Sequence, residues 1–101
     1  MDYIEVGRLA DMLRETMEEE RRLGVIADAA QIDAENADLL AFAATDSKDP
    51  NSTMYLRASE QALQNAFDAH VLVGKATVER KHAEKLIELT VAWLNSKSGV
   101  R

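Results

Sequence analysis

The chain has 101 residues, 47% of them apolar and 30% charged, with no cysteine and a formal net charge of −6. That length suits one small domain with a single core spanning residues 1–101. The missing cysteines exclude disulfides, thiolate–metal sites and a cysteine nucleophile, and the acidic balance disfavours the phosphate backbone of nucleic acids as a partner.

The charge is unevenly placed. Residues 1–50 hold 13 acids and 5 bases, whereas residues 51–101 hold 5 acids and 7 bases. Stretches of opposite sign attract each other, within one chain or between copies. No apolar run approaches the ~18 residues of a membrane span, and Met1–Glu5 lacks the basic and apolar pattern of a secretory leader. The expectation is a cytoplasmic protein that engages neither membrane nor nucleic acid.

At ~100° of rotation per residue, the first helix reads from Tyr3 to Arg22. Val6, Leu9, Ala10, Leu13 and Met17 share its apolar face, opposite Arg8, Asp11, Glu15, Glu18 and Arg22. From Val25 to Ala44 the apolar face becomes Val25, Ala29, Ile32, Leu39, Leu40 and Ala43. The stripe has rotated by more than ~90°, which predicts a break or kink near Gly24. Asp28 with Gln31 fits a capping box, so a second helix starts as late as Asp28. Thr45–Asn51 carries turn formers, including the only proline, Pro50. Asn51 or Ser52 caps the next helix.

Thr53–Val73 places Tyr55, Ala62, Leu63, Ala66, Phe67, Ala69 and Val73 on one face. Beyond Gly74 the stripe shifts again to Ala83, Leu86, Ile87, Thr90, Trp93 and Leu94, with Thr77 as a candidate N-cap. The tail from Ser98 to Arg101 is expected to fray. The fold class is therefore all-α. Two architectures fit: a four-helix up-down bundle, or a long bent helical hairpin that dimerises into a four-helix core. A core rich in alanine and poor in aromatics buries little area per residue, which predicts self-association as a homodimer or other homo-oligomer.

Three groups of residues suggest chemistry. Glu20, His70, Glu79 and His82 gather near one end of an alternating bundle. Helical Glu-x-x-His with a carboxylate from a facing helix is the ligand pattern of di-iron and di-manganese proteins, so iron or manganese is the cofactor this group implies. The plainer reading is that Glu79 favours a helix N-terminus and Glu20 lies in a solvated charge run.

Glu35-x-x-Asp38, followed by Leu39-Leu40-Ala41-Phe42, resembles one half of the magnesium site of all-helical nucleotide pyrophosphohydrolases of the MazG kind. The resemblance implies Mg²⁺ held against nucleotide phosphates. The family's other half is Glu-Glu-x-x-Glu; here Glu18-Glu19 is followed by Arg22. Third, Phe42 points the way Asp28, Gln31, Glu35 and Asp38 do. An aromatic among acids can anchor a basic helix of a protein partner or pack on a second copy. Together these features favour a small interaction or assembly protein without catalysis or cofactor. A metal-binding four-helix protein is the alternative, and a Mg²⁺-dependent nucleotide hydrolase the third reading.

Overall fold

The computed structural model describes residues 2–98; positions 99–101 of the expected fraying tail lie outside the described residues. Two helices account for almost all of it. Helix α1 runs Asp2–Asp46 and helix α2 runs Ser52–Ser98. The all-α expectation holds, and the described residues contain no strand. There are two helices rather than four, so the up-down bundle does not form within these residues.

The predicted breaks do not occur. Gly24 and Gly74 both lie inside continuous helix, and neither has positive φ. Asp28 and Thr77 start no helix, since each lies well within one. An uninterrupted run of helix formers outweighs a single glycine, which costs only about 1 kcal/mol in a helix interior.

The one turn, residues 47–51, is built by specific hydrogen bonds. Lys48 adopts the left-handed conformation at φ 58°. Its N–H donates to the Thr45 carbonyl at 3.2 Å, and the Asp49 N–H donates to the Ala44 carbonyl at 2.8 Å. This pair of bonds closes the end of α1 as a Schellman motif. Asp49 Oδ1 then accepts from the Asn51 N–H at 2.7 Å. The Asn51 carbonyl takes the first helical bond of α2, from the Tyr55 N–H at 3.2 Å. Asn51, not Ser52, is thus the capping position.

Burial follows a strict rhythm in each helix. Buried and half-buried residues recur at alternating spacings of three and four from Val6 to Ala44 in α1, and from Ser52 to Leu94 in α2. That 3.5-residue period is the mark of a coiled-coil seam. It never changes sides at a glycine.

The chain divides into two compact units. Unit 2, Leu23–Val73, is a helical hairpin made by the end of α1, the turn and the start of α2. Its α1 seam after Leu23 is all alanine: 27, 30, 34, 37, 41 and 44. Ser59, Ala62, Ala66 and Ala69 belong to the α2 seam. Small side chains let helices approach closely, and Ala27 and Ala66 are each only 1% exposed. Unit 1 pairs residues 1–22 with 74–101. Its seam is more varied, with Val6, Leu9 and Leu13 on α1 and Ala83, Ile87 and Leu94 on α2.

The expected apolar faces divide accordingly. Val6, Leu9, Leu13, Tyr55, Ala62, Ala66, Ala69 and Val73 do lie on the seam. Met17, Leu63, Phe67 and Trp93 are exposed instead. For 25–44 the structure inverts the expectation. Val25, Ala29, Ile32, Leu39, Leu40 and Ala43 face solvent, and the alanines between them are inside.

Candidate interaction surface

Alanine on the inside of unit 2 leaves the large apolar side chains outside. On α1, Val25, Ile32 and Leu39 are 66%, 57% and 67% exposed. Spaced by sevens, they form a second stripe diametrically opposite the seam. Ile26 and Leu40 lie along one side of it, and Phe42, 73% exposed, along the other. On α2, Leu56, Leu63 and Phe67 are exposed as well. A helix that is apolar on two opposite sides has more surface to bury than one partner helix can cover.

The acidic group lies on one flank of this surface. Asp28, Glu35 and Phe42 recur every seven residues and so share a helix side; all three are exposed. Glu35 and Asp38 line a shallow cleft of about 260 Å³ with Gln31, Ala34, Ser59 and Leu63. Gln31 Nε2 donates to Glu35 at 3.3 Å, and Ser59 Oγ donates to Asp38 at 3.5 Å. Unit 2 also carries the whole net charge. Residues 23–73 hold 8 acids and 2 bases, and the remaining residues hold 10 of each.

Unit 1 carries a charged cluster on its seam. Glu20 is half-buried and accepts from the Thr77 hydroxyl at 2.5 Å and from Arg80 Nε at 2.6 Å. Arg80 also donates to Glu84 at 2.7 Å. The Thr77 hydroxyl first, and the Arg80 guanidinium second, hold the Glu20 carboxyl below its ordinary range. Glu20 in turn raises the Arg80 guanidinium above its own.

Of the four residues suggested as metal ligands, Glu20 is engaged by other side chains and the other three are exposed. Both Glu20 oxygens are engaged by Thr77 and Arg80. Glu79 and His82 are exposed and line an apolar groove of about 370 Å³ with Met12, Thr16, Val78, Ala83 and Leu86. His70 is exposed in unit 2. Among the described residues, no three His, Asp or Glu side chains are arranged to hold a metal ion. Of the nucleotide-hydrolase pattern, Glu35 and Asp38 share the unit 2 cleft, while Glu19 in unit 1 pairs with Arg22.

The helical pattern of the sequence singles out Thr77 only as a candidate N-cap, and it passes over Arg80 and Ser59. The heptad is the signal that finds two of the cluster's members: Glu20 and Arg80 stand at seam positions otherwise filled by apolar or small residues. Among the described residues, no helix is long and apolar enough to cross a membrane. No protein-family model matches the chain, and neither the curated proteins nor the solved structures yield a match.

Proposed function

We propose that this chain works by association, as a helical assembly module whose functional unit contains at least two copies. One observation carries the reading: unit 2 buries alanines and exposes Val25, Ile32, Leu39, Leu40 and Phe42. Burying an alanine methyl stabilises by roughly 0.8 kcal/mol, and burying a valine, leucine or phenylalanine by roughly 1.5–3 kcal/mol. Most of the hydrophobic free energy available to unit 2 is thus unrealised in one copy. The heptad spacing of 25, 32 and 39 supports a helical partner, because a 3.5-residue stripe stays aligned along a second helix. A second copy supplies such a helix at matched concentration.

The test is sedimentation equilibrium across a hundredfold range of concentration. The expected mass is a multiple of the 11.2 kDa chain. Ile32→Asp with Leu39→Asp should return it to the single-chain mass while circular dichroism stays helical. A wild-type protein that sediments as one chain throughout that range would refute the proposal.

A further inference from the structure

We infer that the acidic outward face of α1 in unit 2 packs on the basic outward face of α2 in unit 1 of a second copy. This rests on the self-association proposed above and specifies which surfaces meet.

The α1 face centres on Val25, Ile32 and Leu39, and Asp28, Asp33 and Glu35 flank it. No lysine or arginine occurs between Gly24 and Ser47. On α2, residues 78, 82, 85 and 89 alternate in spacings of four and three on the side opposite the buried seam. Val78 and Leu89 are 67% and 55% exposed there. Lys75, Lys81 and Lys85 lie among them, and all three are exposed. Lys85 approaches Glu88 only at 4.0 Å. Lys75, Asp28 and Asp33 take part in none of the salt bridges among the described residues, and Lys81 acts only at longer range, on the Glu20 carboxylate. Each face therefore sets exposed apolar side chains among charges: Asp28, Asp33 and Glu35 around Val25, Ile32 and Leu39 on α1, and Lys75, Lys81 and Lys85, with Glu88 beside Lys85, around Val78 and Leu89 on α2.

We place this pairing between copies. Val25, Ile32 and Leu39 lie opposite the seam of unit 2, and Val78 and Leu89 stay more than half exposed beside the partner helix of unit 1, so packing within a unit leaves both groups open to a second copy. Pairing the acidic face with itself would set Asp28, Asp33 and Glu35 against their duplicates, and like charges across an interface disfavour association. Acid against base lets the apolar stripes meet while the flanking charges attract.

Charge reversal tests this directly. One variant carries Asp28→Lys, Asp33→Lys and Glu35→Lys; the other carries Lys75→Glu, Lys81→Glu and Lys85→Glu. All six positions are exposed, and helicity by circular dichroism confirms that each variant folds. Each variant alone should associate at least tenfold more weakly than wild type in sedimentation equilibrium. Mixed one to one, the two should form a mixed assembly at near wild-type affinity, because every acidic face then meets a basic one. Should a triple variant lose helicity, the single changes Glu35→Lys and Lys81→Glu repeat the comparison. A wild-type assembly unaffected by either reversal, or two weakened variants with no recovery on mixing, overturns this pairing and leaves self-association standing. A monomeric wild type overturns both.

Discussion

Glu20 and Arg80 are sixty residues apart in the chain, yet each occupies a seam position, and Arg80 Nε donates to Glu20 Oε1 at 2.6 Å. Their side chains are each 23% exposed, so the pair is shielded from water but not sealed from it. A charged residue at a seam position gives up apolar packing there, and the pair it forms is satisfied at one alignment of the two helices.

The pair makes stability depend on pH. The Glu20 carboxyl lies below its ordinary range, because the Thr77 hydroxyl and then Arg80 favour the ionised form. A carboxyl depressed in the folded state contributes stability above its unfolded value, about 4.3. That contribution disappears as pH falls through the lower folded value. The melting temperature of wild type should exceed that of Glu20→Gln at pH 7, and the gap should close below about pH 4. A gap that stays constant from pH 7 to pH 3 would show that ionisation of Glu20 contributes nothing.

Gly24 and Gly74 are helical, and a Cβ built at either position meets no atom within 4 Å. Gly24→Ala and Gly74→Ala should therefore each stabilise the protein by about 0.5–1 kcal/mol. Urea unfolding at a fixed protein concentration measures this as a higher midpoint. A lower midpoint would indicate that the glycine conformation is needed after all.

Lys48 takes a left-handed conformation that disfavours any residue with a Cβ. Lys48→Gly should relieve this and raise stability by about 1 kcal/mol. The same urea assay reads the change, and no shift would mean that the turn accommodates lysine without strain.

Ala34 is buried in the alanine seam, and Leu39 is exposed outside it. Ala34→Leu should destabilise by about 1–3 kcal/mol, since a leucine has no room between closely approaching helices. Leu39→Ala, measured where the protein is dilute, should change stability by less than about 0.5 kcal/mol. Equal effects at the two positions would contradict the assignment of inside and outside.

The all-α class, the turn at 47–51 and the Val6–Leu13 stripe are legible in the sequence, because each follows from local spacing and turn chemistry, whereas the continuity of each helix through its glycine is not. The inside of unit 2 is not legible, for two physical reasons. A reading that ranks residues by hydrophobicity follows Val25, Ile32 and Leu39 and passes over alanine, whose advantage is small size. Second, a count of 100° per residue drifts by about 20° per heptad against a 3.5-residue seam. Between the middles of 3–22 and 25–44, about three heptads, that drift is only about 60°, so it blurs the seam while the outward Val25, Ile32 and Leu39 produce the apparent rotation at Gly24. The residues of the polar cluster are visible individually, but their spacing groups Glu20 with Glu79 and His82. One helical position separates Arg80 from Glu79, and a seam traced at the wrong period cannot choose between them.

A row of identical methyl groups carries no positional information. Slide α1 of unit 2 by seven residues and alanine arrives where alanine was, at 27, 34 and 41 or at 30, 37 and 44. Within that unit, the alignment is set by the Lys48–Asp49 closure, which anchors the start of α2 to the end of α1, and by the Ser59–Asp38 hydrogen bond between the two helices. Unit 1 has its own fixed point, where Glu20 finds Thr77 and Arg80 at one setting only. Lengthening residues 47–51 should therefore loosen the alanine rows against one another while leaving the Ser59–Asp38 and Glu20 contacts to define the remaining order.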